Sequence, residues 1–210
     1  MTSDQHEYSR IETFDLIGGR LCLDFTNTIG SVFRPIESEK LSSYRDLLIF
    51  ARRAGMLGPD EERALAEEAT RRPAEAERVV AEAYRLRAAL FTLFYPDRPH
   101  RDEALSVLNR HVVSARARQV LVSSDAGFGF AFRDDDVSNL ERPLWPIALS
   151  GAELLTSSGL ARVRACSNES TCTWLFVDES KNHSRRWCSM RDCGNRAKAR
   201  RHYHGVRVSG

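Results

Sequence analysis

Residues 166–196, CSNESTCTWLFVDESKNHSRRWCSMRDCGNR, contain four of the five cysteines in a chain of 210 residues. The cysteines form two pairs, C-x5-C at 166–172 and C-x4-C at 188–193, with fifteen residues between the pairs. In a cytosolic chain, clustered cysteines are more often metal ligands than disulfide partners. Four thiolates can converge on one tetrahedral zinc ion and leave no open position for a water molecule. We therefore predict one structural zinc ion with four ligands: Cys166, Cys172, Cys188 and Cys193.

The sequence between and after the cysteine pairs predicts the secondary structure of this module. TWLFVD at 173–178 is typical of a strand, ESKN of a turn, and SRRWC at 184–188 of a second strand, so we expect a hairpin between the pairs. Residues 189–192, SMRD, have the S-x-x-[DE] form of a helix N-terminus, and the helix is expected to end near Tyr203. A knuckle, a hairpin and a helix joined by one metal form a treble-clef-like finger. About 45 residues bury too little apolar surface to fold securely alone, so zinc is expected to supply much of the stability.

Positive charge is concentrated in the same segment. Residues 166–210 contain 9 basic and 4 acidic side chains, whereas residues 1–165 contain 22 and 25. This asymmetry indicates a separate function for the basic end, with nucleic acid or another anionic surface as its partner. The alternative is a solvated helix that packs on the N-terminal domain or mediates dimerisation. The candidate nucleic-acid contacts are Arg185, Arg186, Arg191, Asn195, Arg196, Lys198, Arg200 and Arg201.

Base reading has one candidate in this set. An Asn amide can pair bidentately with adenine, so Asn195 is the candidate for contact with a base edge. The Lys and Arg side chains are candidates for phosphate contacts, which release counterions and make affinity dependent on salt.

Much of the N-terminal part has the apolar spacing of helices. Ser42 or Ser43 can cap a helix that ends near Gly55. Pro59 begins the next helix, and Pro73 separates it from a long amphipathic helix. The inner face of the long helix is predicted to carry Val79, Val80, Ala83, Leu86, Leu90 and Leu93.

The rest of the N-terminal part combines a hairpin with further helices. Asp102 introduces one helix, and residues 149–163 are predicted to form another after Pro143 and Pro146. Residues 118–133 alternate with period two around an SSDAG turn, which predicts a hairpin. The aromatic residues expected on one face of this hairpin are Phe128, Phe130 and Phe132. For RLCLDF, at 20–25, alternation favours a strand, although the segment is equally able to open a helix.

These patterns predict an α+β protein of two domains. Residues 1–160 are expected to form a mostly helical sensor or assembly domain with a small antiparallel sheet. Residues 161–210 are expected to form the treble-clef-like zinc finger with its basic helix. Cys22, in an apolar run, is expected to be a small buried packing residue.

The polar residues that follow the first apolar run have two interpretations. In the first interpretation they line a ligand pocket. In the second, Asp24 and Arg34 form an ion pair that stabilises a turn. The GG pair at 18–19 lacks the context of a phosphate-binding loop. No Ser-His-Asp or Cys-His arrangement is evident, so the sequence does not predict an enzyme. The candidate pocket residues are Asp24, Asn27, Arg34 and Glu37.

Several of these stretches resemble a known family. The C-terminal segment is similar to the CGNR zinc finger in WLFVD at 174–178, SRRWCSM at 184–190, Cys-Gly-Asn-Arg at 193–196 and RAKARRH at 196–202. GGRLCLDFTNT at 18–28, with Arg34, Glu37 and Leu41, resembles the ABATE-type domain that usually precedes this finger. The first cysteine pair departs from the family pattern by one additional residue. The resemblance implies a bacterial DNA-binding transcription regulator with an effector-sensing or stress-sensing N-terminal domain.

The leading hypothesis is therefore a zinc-dependent DNA-binding regulator. Its N-terminal domain is expected to sense a small-molecule effector or to mediate assembly, with a homodimer as one form. The alternatives are an RNA-binding protein and a protein-interaction adaptor that uses the basic finger. The N-terminus, MTSDQHEYSR, lacks the apolar stretch of a secretory signal, and no apolar run approaches the about 20 residues of a membrane span. We expect a cytoplasmic protein with no membrane partner.

Overall fold

The structure, a computed structural model, describes residues 11–30, 39–125, 127–133, 136–168 and 171–200. The α-helices in these ranges are α1 (Leu21–Thr26), α2 (Tyr44–Arg53), α3 (Pro59–Arg71), α4 (Pro73–Phe94), α5 (Arg101–Arg116) and α6 (Leu144–Thr156), and a 3-10 helix spans Ser158–Arg162. The strands are β1 (Gln119–Ser124), β2 (Gly127–Phe132), β3 (Val163–Ala165) and β4 (Leu175–Val177). β1 pairs with β2 and β3 with β4, both antiparallel, which confirms the α+β class.

The last described residues form a helix whose first turn is π-helical. A π-helical turn, Met190–Gly194, continues as α-helix over residues 195–200. We call residues 190–200 the C-terminal helix. Its predicted end near Tyr203 lies outside the described residues.

Helix α2 begins where the sequence places a cap. The Ser43 hydroxyl accepts a hydrogen bond from the Asp46 amide, and the Asp46 carboxylate accepts one from the Ser43 amide, which is a capping box. The helix ends at Arg53, just before Gly55, which has a φ of +72°. Glycine adopts this left-handed conformation without steric cost, so both predicted ends of the helix are confirmed.

The long helix α4 forms the centre of the core. Pro59 and Pro73 occupy the first positions of α3 and α4, where a missing amide costs nothing. Val80 is only partly buried, at the edge of the inner face. The rest of the predicted inner face is buried: Val79, Ala83, Leu86, Leu90 and Leu93.

The segment RLCLDF, for which the sequence allows either a strand or a helix, lies mostly in helix α1. Five of its six residues are buried because the helix lies in the middle of the molecule, in contact with α4, α6 and β4. A helix surrounded on all sides carries no polar face, so its period is hidden in the sequence. Burial raises the pKa of the Cys22 thiol to about 12, as expected for a packing residue.

The β1–β2 hairpin is confirmed, and most of its apolar surface faces solvent. Phe132 packs on buried Trp145 with ring centroids 5.2 Å apart and fixes the base of the ribbon. Phe128 and Phe130, on the same face of β2, are 82% and 68% exposed. The opposite strand adds Leu121, which is 64% exposed.

Two sequence-based expectations are wrong in detail. Helix α6 begins at Leu144, directly after Pro143, because Pro146 lies in the first turn, where no amide donor is needed. It ends at Thr156, before the predicted end at residue 163. TWLFVD does supply a strand, β4, but β4 pairs with β3 and residues 184–188 form no strand. The Asp178 carboxylate accepts hydrogen bonds from the amides of Ser180 and Arg185, which holds the chain in a loop and prevents the expected hairpin.

Candidate metal centre

Four cysteine sulfurs meet between the knuckle and the start of the C-terminal helix. The sulfurs of Cys166, Cys172, Cys188 and Cys193 all lie within 4.8 Å of one another, and all four residues are buried. Cys172 and Cys188 are 3.7 Å apart at their sulfurs, and Cys188 and Cys193 are 3.6 Å apart. A tetrahedral zinc ion with Zn–S bonds of about 2.3 Å separates its sulfurs by about 3.8 Å. The donor set and spacing therefore fit one zinc ion.

Backbone hydrogen bonds place each ligand pair. The amide of Cys166, just after β3, donates to the Trp174 carbonyl over 2.9 Å, and the amide of Cys172 donates to Asn168 over 3.0 Å. On the other side, the Ser189 hydroxyl accepts from the Asp192 amide over 3.3 Å and starts the turn that holds Cys193. The predicted helix cap is confirmed, although its first turn is π-helical.

The electrostatics of the cluster favour a cation. Hydrogen bonds from the Cys172 and Cys188 thiols lower the pKa of Cys166 to about 7, and neighbouring thiols also lower the pKa of Cys193. The same proximity raises the pKa of Cys172 and of Cys188. Four thiolates at this spacing repel one another, and a divalent cation removes that repulsion. With four sulfur ligands the ion has no open position for a substrate, so its role is structural.

Part of the predicted basic set faces outward. Lys198 is exposed, and Arg186 is exposed beside the Trp187 ring, at 5.3 Å from its centroid. Arg191 is 77% exposed and pairs with Asp15 over 2.9 Å. Asn195 is exposed, and its amide nitrogen donates to the Arg191 carbonyl over 2.8 Å.

The other basic residues contact the finger itself. Arg185 lies with its guanidinium 4.2 Å from the Phe176 ring centroid and donates to the Trp187 and Cys188 carbonyls. Arg196 donates to the Cys193 sulfur over 3.6 Å, and Arg200 donates to the Asn168 side chain. Arg201 lies outside the described residues.

The N-terminal motif contacts strand β4 along the edge that β3 leaves open. The Asn27 side chain donates to the Leu175 carbonyl and accepts from the Leu175 amide, both over 2.8 Å. The Gly18 carbonyl accepts from the Val177 amide over 2.9 Å. Asn27 is 1% exposed, so its amide takes the place of a neighbouring strand. We call residues 18–30 the docking segment.

Of the four candidate pocket residues, the structure describes two, and both have protein partners. Asp24 accepts from the Gly18 amide over 2.7 Å and so fixes the turn whose carbonyl binds Val177. Burial raises the pKa of the Asp24 carboxyl to about 6, against the opposing effect of the Gly18 and Ile17 amides. Arg34 and Glu37 lie outside the described residues.

An ion pair that sequence reasoning did not identify supports the docking segment. The Arg87 guanidinium on α4 binds the Glu39 carboxylate, with one nitrogen–oxygen distance of 2.7 Å, and also donates to the Thr28 hydroxyl over 2.8 Å. Glu39 in turn accepts from the Leu41 amide. Arg87 follows an apolar helical pattern, and no local feature of the sequence indicates that its charge is buried.

The helical domain and the tetracysteine finger with its basic helix define a zinc-binding transcription regulator. The model of the CGNR zinc finger matches residues 162–204. The model of ABATE, "Putative stress-induced transcription regulator", matches residues 19–158. The ABATE match covers more than half of the chain, so the chain belongs to that family. No protein of curated function matches the chain.

Neither matching family is an enzyme family. None of the helices in the described ranges has both the length and the apolar character needed to cross a bilayer.

The Asn27 contact predicts a large loss of stability on substitution. Asn27→Leu leaves the amide and carbonyl of Leu175 buried without partners, at about 1–3 kcal/mol each. We expect the free energy of unfolding, measured by urea denaturation of the zinc-loaded chain, to fall by about 2–4 kcal/mol. Asn195→Ala, at an exposed amide, is the control and is expected to change it by less than about 0.5 kcal/mol. Equal stability of Asn27→Leu and the parent chain would contradict the docking role.

The raised pKa of Asp24 predicts a pH dependence of stability. The folded-state pKa of about 6 lies above the unfolded value of about 3.9, so the folded chain binds the proton more tightly and ionisation of Asp24 destabilises it. The stabilisation by the protonated form is therefore lost as pH rises through 6. Asp24→Asn keeps an oxygen acceptor for the Gly18 amide and does not titrate.

The measurement is the difference in unfolding free energy between the parent chain and Asp24→Asn at pH 5.5 and pH 7.5. We expect the parent chain to gain about 1 kcal/mol relative to the variant at the lower pH. Comparison of the two chains cancels the titration of every other group. A difference that is constant with pH would show that Asp24 keeps an ordinary pKa.

Proposed function

We propose that this transcription regulator binds duplex DNA through the exposed face of its C-terminal helix. The observation that carries the proposal is the position of that helix: its first turn contains the zinc ligand Cys193 and follows the ligand Cys188 directly. The metal therefore fixes the direction of the helix relative to the rest of the chain. A rigidly presented basic helix matches the width of the DNA major groove.

The outward residues of this helix supply the contacts. Arg191, Asn195 and Lys198 are spaced four and three residues apart, which places them on one face. The ion pair of Arg191 with exposed Asp15 is a surface pair worth less than about 1 kcal/mol, so a phosphate can replace the carboxylate. Arg186, exposed in the loop before Cys188, is the fourth residue of the proposed surface. Asn195 is the base-reading residue of the proposal, because its amide can pair with adenine.

The proposal predicts a salt dependence that two substitutions reduce. Three phosphate contacts, from Arg186, Arg191 and Lys198, give a slope of log affinity against log salt near −2.7. Replacing Arg186 and Lys198 by Gln together is expected to reduce the slope to near −0.9, without loss of zinc. Fluorescence anisotropy with a labelled duplex measures affinity, and a metal assay measures zinc in the same samples.

The matched control removes the same charge elsewhere. Arg78 on α4 and Arg110 on α5 are exposed, and replacing both by Gln is expected to leave the slope unchanged. Equal slopes for the two double variants would overturn the DNA interface. Tight binding of structured RNA or of an acidic protein, with none of duplex DNA, would instead support the RNA-binding or adaptor alternative.

For the N-terminal domain we propose assembly with a second copy of the chain through the β1–β2 hairpin. The ribbon carries Leu121, Phe128 and Phe130 on exposed positions, and residues 119–132 include a single charged residue, Asp125. Exposed apolar strands without charged residues favour edge-to-edge pairing. Ligand sensing has less support, because the described pocket candidates, Asp24 and Asn27, are bound by protein groups.

The assembly proposal predicts a change in mass in solution. Sedimentation of the zinc-loaded chain is expected to give a dimer at micromolar concentration and a monomer for the double variant Phe128→Ser, Phe130→Ser, because the pairing loses its apolar contact area. Leu160→Ser, at another partly exposed apolar position, is the control and is expected to remain dimeric. A monomeric parent chain would rule out this form of assembly.

A further inference from the structure

Two arginines of the C-terminal helix face the sulfur cluster. Arg196 and Arg200 follow Cys193 by three and seven residues, so all three lie on one face of the helix, away from Lys198. The Arg196 guanidinium donates to the Cys193 sulfur over 3.6 Å, a distance typical of an N–H···S hydrogen bond. Arg196, Arg200 and Lys198 are all exposed residues, but the Arg196 guanidinium has a part-buried contact with the sulfur.

Arg200 reaches the same cluster through Asn168. Asn168 is 1% exposed and lies in the knuckle, where its carbonyl accepts from the amides of Thr171 and Cys172. Its side-chain oxygen accepts from Arg200. Its side-chain nitrogen is buried and has no hydrogen-bond partner among the described residues. Arg200 therefore contacts the knuckle beside the ligand Cys172 through the buried Asn168 side chain.

The net charge of the zinc centre gives a reason for the two arginine side chains beside it. A zinc ion with charge +2 and four thiolates carries a net charge of −2, and the site is buried. Buried charge is costly unless neighbouring charges or hydrogen bonds compensate it. Two guanidinium groups supply a charge of +2, one by a direct hydrogen bond and one through the Asn168 amide.

We infer that Arg196 and Arg200 are positioning residues of the zinc centre, which orient the Cys193 sulfur and the Asn168 knuckle and compensate the negative charge of the centre, rather than phosphate ligands. The inference does not rest on the DNA proposal, since it concerns only the contacts of these side chains with Cys193 and Asn168. It divides the basic helix into a face for the metal, Arg196 and Arg200, and a face for a partner, which includes Lys198.

Zinc release from the full chain tests the inference. Excess chelator removes the metal, and a chromogenic zinc indicator records the rate for Arg196→Gln, Arg196→Lys, Arg200→Gln and the control Lys198→Gln. Loss of a hydrogen bond to a metal ligand weakens metal binding by about 10–100-fold. We expect Arg196→Gln and Arg200→Gln to release zinc at least about 10-fold faster than the parent chain. Arg196→Lys keeps the charge, so its rate of zinc release is expected to be intermediate. Lys198→Gln is expected to release zinc at the rate of the parent chain.

A spectroscopic measurement separates this role from a general loss of stability. In the cobalt-substituted chain, the sulfur-to-cobalt charge-transfer bands report the electron density on the thiolates. Arg196→Gln is expected to shift these bands, because the Cys193 sulfur loses its hydrogen bond, and Lys198→Gln to leave them in place. If Arg196→Gln does not fold, Arg196→Lys provides the same comparison.

The outcomes distinguish the two proposals. Release rates and spectra equal to those of the parent in all four variants would overturn the inference. If Arg196→Gln keeps zinc at the parent rate but loses DNA affinity, Arg196 is a phosphate ligand, which overturns the inference and extends the proposed DNA interface beyond Arg186, Arg191 and Lys198. Faster release by Arg196→Gln but not by Lys198→Gln supports the inference, whatever the DNA measurements give.

Discussion

The structure depends on one short strand that is hydrogen-bonded along both edges. At one end of the β3–β4 ladder, the Cys166 amide donates to the Trp174 carbonyl. At the other end, the Asp178 amide donates to the Arg162 carbonyl. The opposite edge of β4 is completed by the docking segment, through the Asn27 side chain and the Gly18 carbonyl. Successive side chains then alternate: Leu175 and Val177 belong to the helical core, and Phe176 belongs to the cysteine cluster. The strand thereby joins two hydrophobic cores.

This double use of β4 explains the composition of the docking segment. Gly18 has no room for a side chain, because a Cβ atom there would lie 2.9 Å from the Asp24 amide nitrogen. Asp24 fixes the turn and Asn27 replaces a strand. Trp174 adds a further connection, since its indole nitrogen donates to the Ile29 carbonyl and its ring packs against both cores. The finger therefore completes the helical core.

Local features were predictable from the sequence and tertiary features were not. The cap at Ser43, the proline starts of α3 and α4 and the cysteine cluster follow from interactions between near neighbours or from ligand chemistry. The partner of β4 is chosen by groups far away in the chain, so TWLFVD suggested a strand but not its pairing. The helical form of α1 is hidden by burial on all sides. The two faces of the basic helix depend on tertiary contacts, and the number of charged residues in a segment does not indicate the direction of their side chains.

The distance along the chain between the docking segment and β4 has a consequence for biosynthesis. Asn27 and Leu175 are 148 residues apart, so the helices are translated long before the strand that completes their core. Until β4 has been translated, the core positions of Leu175 and Val177 remain unfilled. Closure of this part of the core must therefore wait until β4 has left the exit tunnel.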